Sequence, residues 1–138
     1  MAAHFHTELR IEASPQQVWE VLTDLEAYPQ WNPMAKQAQG RLEVGAKLLL
    51  HLAALPFPVG AQIRALDPGR LLRWGGGASI ILDVEHYFEV HPDGEHTRFV
   101  HGEIFGGLLG PLIARLAGIN NGLYEHYNQK LALRVASI

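Results

Sequence analysis

Residues 5–12 alternate between inward-type and polar side chains: Phe5, Thr7, Leu9 and Ile11 against His6, Glu8, Arg10 and Glu12. A period of two is that of a half-buried β-strand. Ser14-Pro15-Gln16-Gln17 then sets a capping serine before a proline at the first helical position, and Gln17 completes a capping box. Val18, Val21, Leu22 and Leu25 supply the apolar stripe of a short helix. Pro29 and Pro33 around Trp31 break the helical stretch into a second short helix or a turn near residues 26–32.

From Ala35 to Gly106 the pattern is one of short runs at hairpin spacing, interrupted at Gly45, Pro56, Asp67-Pro68-Gly69, Gly75-Gly76-Gly77 and Pro92-Asp93-Gly94. The expected strands are roughly 34–43, 46–54, 57–67, 70–77, 80–91 and 96–105. After Gly110-Pro111 the period lengthens. Leu112, Leu116, Ile119, Leu123, Tyr127, Leu131 and Val135 share one helical face, which predicts a single helix from about Leu109 to Val135. Gly118 and Gly122 within it cost about 1 kcal/mol each relative to alanine. A strand, short helices, a run of antiparallel strands and one long helix make an α+β domain. Only a curved sheet wrapped around the long helix can cover that apolar face, with an apolar-lined space expected between them.

The 138 residues fit one domain, residues 1–138. Eleven basic against 14 acidic residues leave a net charge of −3, which speaks against a nucleic-acid binder. At 18% charged and 48% hydrophobic residues the chain is not a disordered one. With no cysteine, a disulfide framework, a thiolate zinc site and a cysteine nucleophile are excluded. The opening Met1-Ala-Ala-His-Phe-His has neither the basic nor the apolar region of a signal peptide, and no apolar stretch approaches the ~18 residues of a membrane span. A cytoplasmic protein without stable membrane insertion is the expectation. No nucleophile elbow, phosphate loop or dinucleotide fingerprint occurs.

Several stretches resemble a known family. They are Ile11-Glu-Ala-Ser-Pro-Gln-Gln-Val-Trp-Glu-Val-Leu-Thr-Asp24, Tyr28-Pro-Gln-Trp-Asn-Pro33, Val44-Gly-Ala-Lys-Leu48 and Leu66-Asp-Pro-Gly-Arg-Leu-Leu-Arg-Trp74. His86-Tyr-Phe-Glu-Val90 and the run from Thr97 to Leu109 extend the likeness over nearly the whole chain. It is similar to the polyketide cyclase/dehydrase and lipid-transport superfamily, the START-like helix-grip proteins. The resemblance implies a strongly curved antiparallel sheet gripping a long C-terminal helix, with two short helices after the first strand. It does not imply a metal, and it implies a function ranging from ligand carrier to aromatase/cyclase; no cofactor is expected.

Asp93-Gly94 between two alternating runs reads as a two-residue hairpin turn. Counting outward places Phe88 opposite Phe99, Glu89 opposite Arg98 and His86 opposite His101, with Glu103 one diagonal step away. The aromatic face should point inward. His86, His101 and Glu103 then share the concave side, as a polar network, a ligand-contacting polar end, an acid/base group or a facial metal triad. Leu48, Leu50, Leu72, Trp74, Phe88, Phe99, Leu123 and Tyr127 read as wall or plain core, whereas Tyr124 falls off the apolar stripe. His4, His6, His91 and His96 sit at exposed strand and hairpin positions. Three functions follow. The first is binding of a small hydrophobic or aromatic ligand. The second is a cyclase or dehydratase moving protons with His86, His101 or Glu103 while Tyr127 orients a carbonyl. The third is a partner-binding module, such as a homodimer built on leucines near Leu108 and Leu109.

Overall fold

The computed structural model describes residues 2–77 and 79–138. Seven strands form one antiparallel sheet: β1 (Ala3–Ile11), β2 (Ala35–Gly40), β3 (Lys47–Leu52), β4 (Val59–Asp67), β5 (Leu71–Gly76), β6 (Asp83–Asp93) and β7 (His96–Gly106). Their spatial order is β1-β7-β6-β5-β4-β3-β2, so the first strand pairs with the last. Register shifts between Ala35 and Gln37 and between Ile63 and Ala65 mark β-bulges, which sharpen the curl of the sheet. On the outer face, Arg64 bridges Asp83 (2.6 Å) and Glu85 (3.3 Å), and Arg73 bridges Glu85 (3.0 Å) and Glu89 (3.8 Å). Arg98 goes to Glu8 at 3.0 Å and not to Glu89 as expected.

Between β1 and β2 lie α1 (Pro15–Thr23), a 3-10 turn (Leu25–Ala27) and α2 (Tyr28–Trp31). The capping box forms as the sequence indicates. The Gln17 amide donates to Ser14 Oγ at 3.2 Å and the Ser14 amide to Gln17 Oε1 at 3.0 Å. Replacing Ser14 by alanine should lower the unfolding free energy by ~1 kcal/mol, measured by urea denaturation. No change would mean that the helix start is held by packing alone.

The C-terminal helix is two helices, α3 (Gly110–Leu116) and α4 (Asn121–Ala136), where the apolar pattern predicts one. The reason is Gly118, at φ +70° in the left-handed region that only glycine enters freely. The Ile119 amide donates to Ala114 O (3.0 Å) and the Gly118 amide to Arg115 O (3.1 Å), the paired bonds of a Schellman stop. α3 is anchored at the end of the sheet through buried Gly110 and Ala114, leaving Leu112 and Leu116 exposed. α4 packs on the sheet against β1 and β7, with α1 and α2 beside it. Its buried stripe is Tyr124, Tyr127, Asn128, Leu131 and Val135. No helix among the described residues is long and apolar enough to cross a membrane.

The β6–β7 hairpin turns at Gly94-Glu95, since Asp93 pairs with His96. The register is therefore two residues away from the expected one: Phe88 faces His101, Val90 faces Phe99, and His86 faces Glu103. A shift of two leaves every side chain on its expected face, because the strand period is two.

Candidate functional site

β6 and β7 carry His86, His101 and Glu103 onto the concave face, and α4 lays Tyr124, Tyr127 and Asn128 over them. The histidines are diagonal neighbours with Nε2 atoms 2.5 Å apart. His86 Nδ1 makes an ion-pair contact with Glu103 Oε2 at 3.4 Å, and Tyr124 donates its hydroxyl to Glu103 Oε1 at 2.7 Å. On the other side, His101 Nδ1 meets Asn128 Oδ1 at 2.9 Å, Asn128 Nδ2 donates to Thr7 Oγ1 at 2.8 Å, and Thr7 donates to the His101 carbonyl at 2.8 Å.

The direction of this chain follows from its far end. A carbonyl oxygen only accepts, so the single Thr7 hydroxyl proton is committed to His101 O. Asn128 must then turn its amide nitrogen to Thr7 and its oxygen to His101, which fixes the His101 proton on Nδ1. Burial and the charge of His86 hold the His101 pKa well below the ordinary histidine value, so its Nε2 is bare and accepts from His86 Nε2–H. The other ring nitrogen, His86 Nδ1, is turned to Glu103. Burial works to raise the Glu103 carboxyl, yet the charge of His86 and the hydrogen bonds from His86 and Tyr124 outweigh it and hold it below the usual carboxylate range. Glu103 is therefore a carboxylate, and its Oε2 faces the His86 Nδ1 edge.

Glu103 and His101 address opposite nitrogens of the His86 ring. The three groups do not converge on one point, and the facial metal triad is geometrically absent. What remains is a proton relay. His101 and Asn128 are fully buried, while the His86 and Glu103 side chains keep 12% and 15% exposure. The relay therefore ends in an acid/base pair at its more accessible side.

The wall residues fall into two groups. Leu48, Leu50, Leu72, Trp74, Phe88, Phe99 and Tyr127 belong to one contiguous buried cluster. Leu123 does not: it is 40% exposed, because the break at Gly118 resets the helical phase and puts Tyr124 inward in its place. Tyr127 lies tilted against His101 with ring centroids 4.3 Å apart, and Trp31 meets its edge at 5.3 Å. The Tyr127 hydroxyl lies near Tyr28 and Asn32 but makes no hydrogen bond, and Trp31 Nε1 is likewise buried without a partner. Burial pushes the Tyr127 phenol well above its ordinary pKa, so it stays protonated. A groove of about 490 Å³ between the end of β1 and the last turns of α4, and another of about 700 Å³ over β2–β5, both lie away from His86, His101 and Glu103.

Sequence reasoning missed Thr7, Tyr124 and Asn128 as members of the relay. The signal available was an asparagine at helical spacing from Tyr124, Leu131 and Val135, in a stripe where a polar residue needs a buried partner.

A curled seven-stranded sheet gripping a helix, with an apolar concave side and one polar relay, defines a START-like helix-grip domain. The chain matches the family described as polyketide cyclase / dehydrase and lipid transport over residues 2–136, and it belongs to that family. No curated protein sequence matches it. Among solved structures, an aromatase/cyclase from Streptomyces sp. R1128 is similar at TM-score 0.74 and 19% identity, over 99% of this chain and 94% of that one. A START superfamily protein from Mycobacterium smegmatis aligns at TM-score 0.74 and 21% identity, over 97% of each chain. Norcoclaurine synthase from Thalictrum flavum aligns at TM-score 0.73 and 15% identity, over 99% of this chain and 96% of that one. At these identities the likeness is one of fold.

Proposed function

We propose that the protein binds a small hydrophobic or aromatic ligand carrying a carbonyl or hydroxyl group, in the space between sheet and α4. The carrying observation is the Tyr127 hydroxyl, 2% exposed, with Tyr28 and Asn32 nearby but no well-formed hydrogen bond to either. Leaving such a group unpaired costs ~1–3 kcal/mol, which a guest accepting its proton would recover. The His86–Glu103 pair supplies a second polar anchor. Family membership supports the same reading. The wall side chains touch one another in this structure, so the guest enters by displacing the half-buried Trp31 from the edge of Tyr127.

Titration of acyl and aromatic ketones, followed through Trp31 and Trp74 fluorescence, tests this. Wild type should bind at least one ligand saturably. Leu50→Trp, which enlarges a wall side chain where the guest must enter, should abolish uptake, and Tyr127→Phe should weaken it by one hydrogen bond, ~0.5–1.5 kcal/mol. No saturable binding by any ligand, or binding indifferent to Leu50→Trp, would defeat the proposal.

The relay favours one second reading, a cyclase- or dehydratase-type enzyme in which the His86–Glu103 pair moves a proton on the bound ligand. Glu103→Gln would then leave binding nearly intact while costing ~10²–10⁴ in turnover. Loss of binding and turnover together would reduce Glu103 to a structural group.

A further inference from the structure

The outer face of the sheet carries a second polar cluster, unconnected to the relay. His4 and His6 alternate along β1 and project to the same side. Between them, from β6, comes the Tyr87 hydroxyl, 2.7 Å from His4 Nε2 and 2.7 Å from His6 Nδ1. Gly102 makes this reach possible: a Cβ there would stand 2.3 Å from the Tyr87 oxygen. The other nitrogen of His6 meets Glu8 Oε2 at 3.1 Å, and Arg98 holds the second oxygen of Glu8 at 3.0 Å.

Glu8 accepts only, so neutral His6 carries its proton on Nε2 and turns a bare Nδ1 toward the phenol, which can donate to it at 2.7 Å or to the Phe5 carbonyl at 3.4 Å. Tyr87 in turn accepts from His4 Nε2–H. Three donor-capable atoms thus converge, two of them imidazole nitrogens, and one imidazole is already oriented by a carboxylate on its far nitrogen. That carboxylate–histidine arrangement is the one that aims and strengthens metal-bound histidines. Two imidazole nitrogens and a phenol oxygen, already within hydrogen-bond reach of one another, are a nitrogen and oxygen donor set that suits Cu(II) or Ni(II).

We infer that His4 Nε2, His6 Nδ1 and Tyr87 Oη form a surface site for a divalent late first-row cation of square-planar preference, Cu(II) or Ni(II), completed by solvent. Both histidines are exposed, so the ion has direct access. On binding, His4 shifts its proton to Nδ1 and the Tyr87 phenol, whose pKa burial and the charge of Glu89 raise in the metal-free protein, releases one proton to water under the charge of the cation. The cation gains two nitrogens and one phenolate oxygen, and no electron is transferred.

The test is titration of the metal-free protein with Cu(II), read by calorimetry and by visible absorption. One ion should bind per chain, with a phenolate-to-copper charge-transfer band. His4→Ala and His6→Ala should each weaken binding by more than tenfold, and Glu8→Gln by ~10-fold through the lost orientation of His6. Tyr87→Phe should remove the band while the circular dichroism spectrum shows the fold retained. His126→Ala, on α4, should bind as wild type does. Cu(II) affinity unchanged in a His4→Ala/His6→Ala double variant, or no saturable binding by wild type, overturns the site. Binding without the charge-transfer band overturns the phenolate as a ligand.

Discussion

Phe88→Ala lowers the unfolding free energy by about 3–5 kcal/mol, the range for a large aromatic deleted from a packed core. The ring is 1% exposed and sits at the meeting point of sheet and helix. Its centroid is 4.8 Å from His86, 4.7 Å from His101, 5.1 Å from Trp74 and 5.8 Å from Tyr127. Most of these neighbours cannot collapse into the vacated volume. His86 and His101 are held by directional hydrogen bonds on both ring nitrogens, and Trp74 and Tyr127 are stiff. The cavity part of the cost is therefore retained nearly in full, and the loss falls in the upper half of the range. Urea denaturation compared with wild type measures it. Leu123→Ala, on the exposed side of α4, should stay within ~0.5 kcal/mol. A Phe88→Ala loss below ~1 kcal/mol would mean that the ring sits in slack space and the core is not packed as described.

The second large effect is on pH dependence. Folded His101 is neutral, with its pKa depressed well below 6.5 by burial and by the neighbouring charge of His86. Unfolding exposes it, and below pH 6.5 the unfolded chain takes up a proton that the folded chain refuses. Stability is then complete above pH 6.5 and falls on acidification below it, at up to ~1.4 kcal/mol per pH unit, until the folded pKa is reached. Glu103 acts in a separate window. Its folded pKa lies below 4.5, so its contribution is present above pH 4.5 and lost only as the pH drops through the folded value. His101→Gln keeps a hydrogen-bonding side chain and removes the titration. Denaturation between pH 7.5 and 5 should show a shallower decline by about one proton. An identical slope in wild type and variant would place the sensitivity elsewhere.

The face of each strand was readable from the sequence, and the pairing was less so. Phe88, Phe99, His86, His101 and Glu103 all point inward as their alternation with Glu89, Arg98 and Tyr87 indicates. The exact partners depended on whether Asp93-Gly94 or Gly94-Glu95 forms the turn. Both choices are compatible with the inward set, because they differ by two residues. Local turn chemistry favoured the first, and the ladder as a whole adopts the second. The helix failed differently. Gly118 carries a stop signal in its own identity, but a leucine at every turn on both sides concealed it, and the apolar period ran straight through the break. The price was the misassignment of Leu123 and Tyr124, neighbours that exchange roles once the phase is reset. Thr7 and Asn128 were out of reach for another reason. They are 121 residues apart in the chain, and only the closed fold makes them partners.

The pairing of β1 with β7 also dictates an order of assembly. Thr7 bonds to a carbonyl 94 residues downstream, and closing a flexible loop of that length costs ~4 kcal/mol before any contact is returned. The β6–β7 hairpin closes over two residues and needs no such delay. During synthesis the first strand therefore emerges long before its partner exists, and must wait unpaired until the final hairpin and α4 leave the ribosome. The relay is then completed at the last stage of folding. A chain truncated before Asn128 would present the histidines without the residue that fixes their proton order.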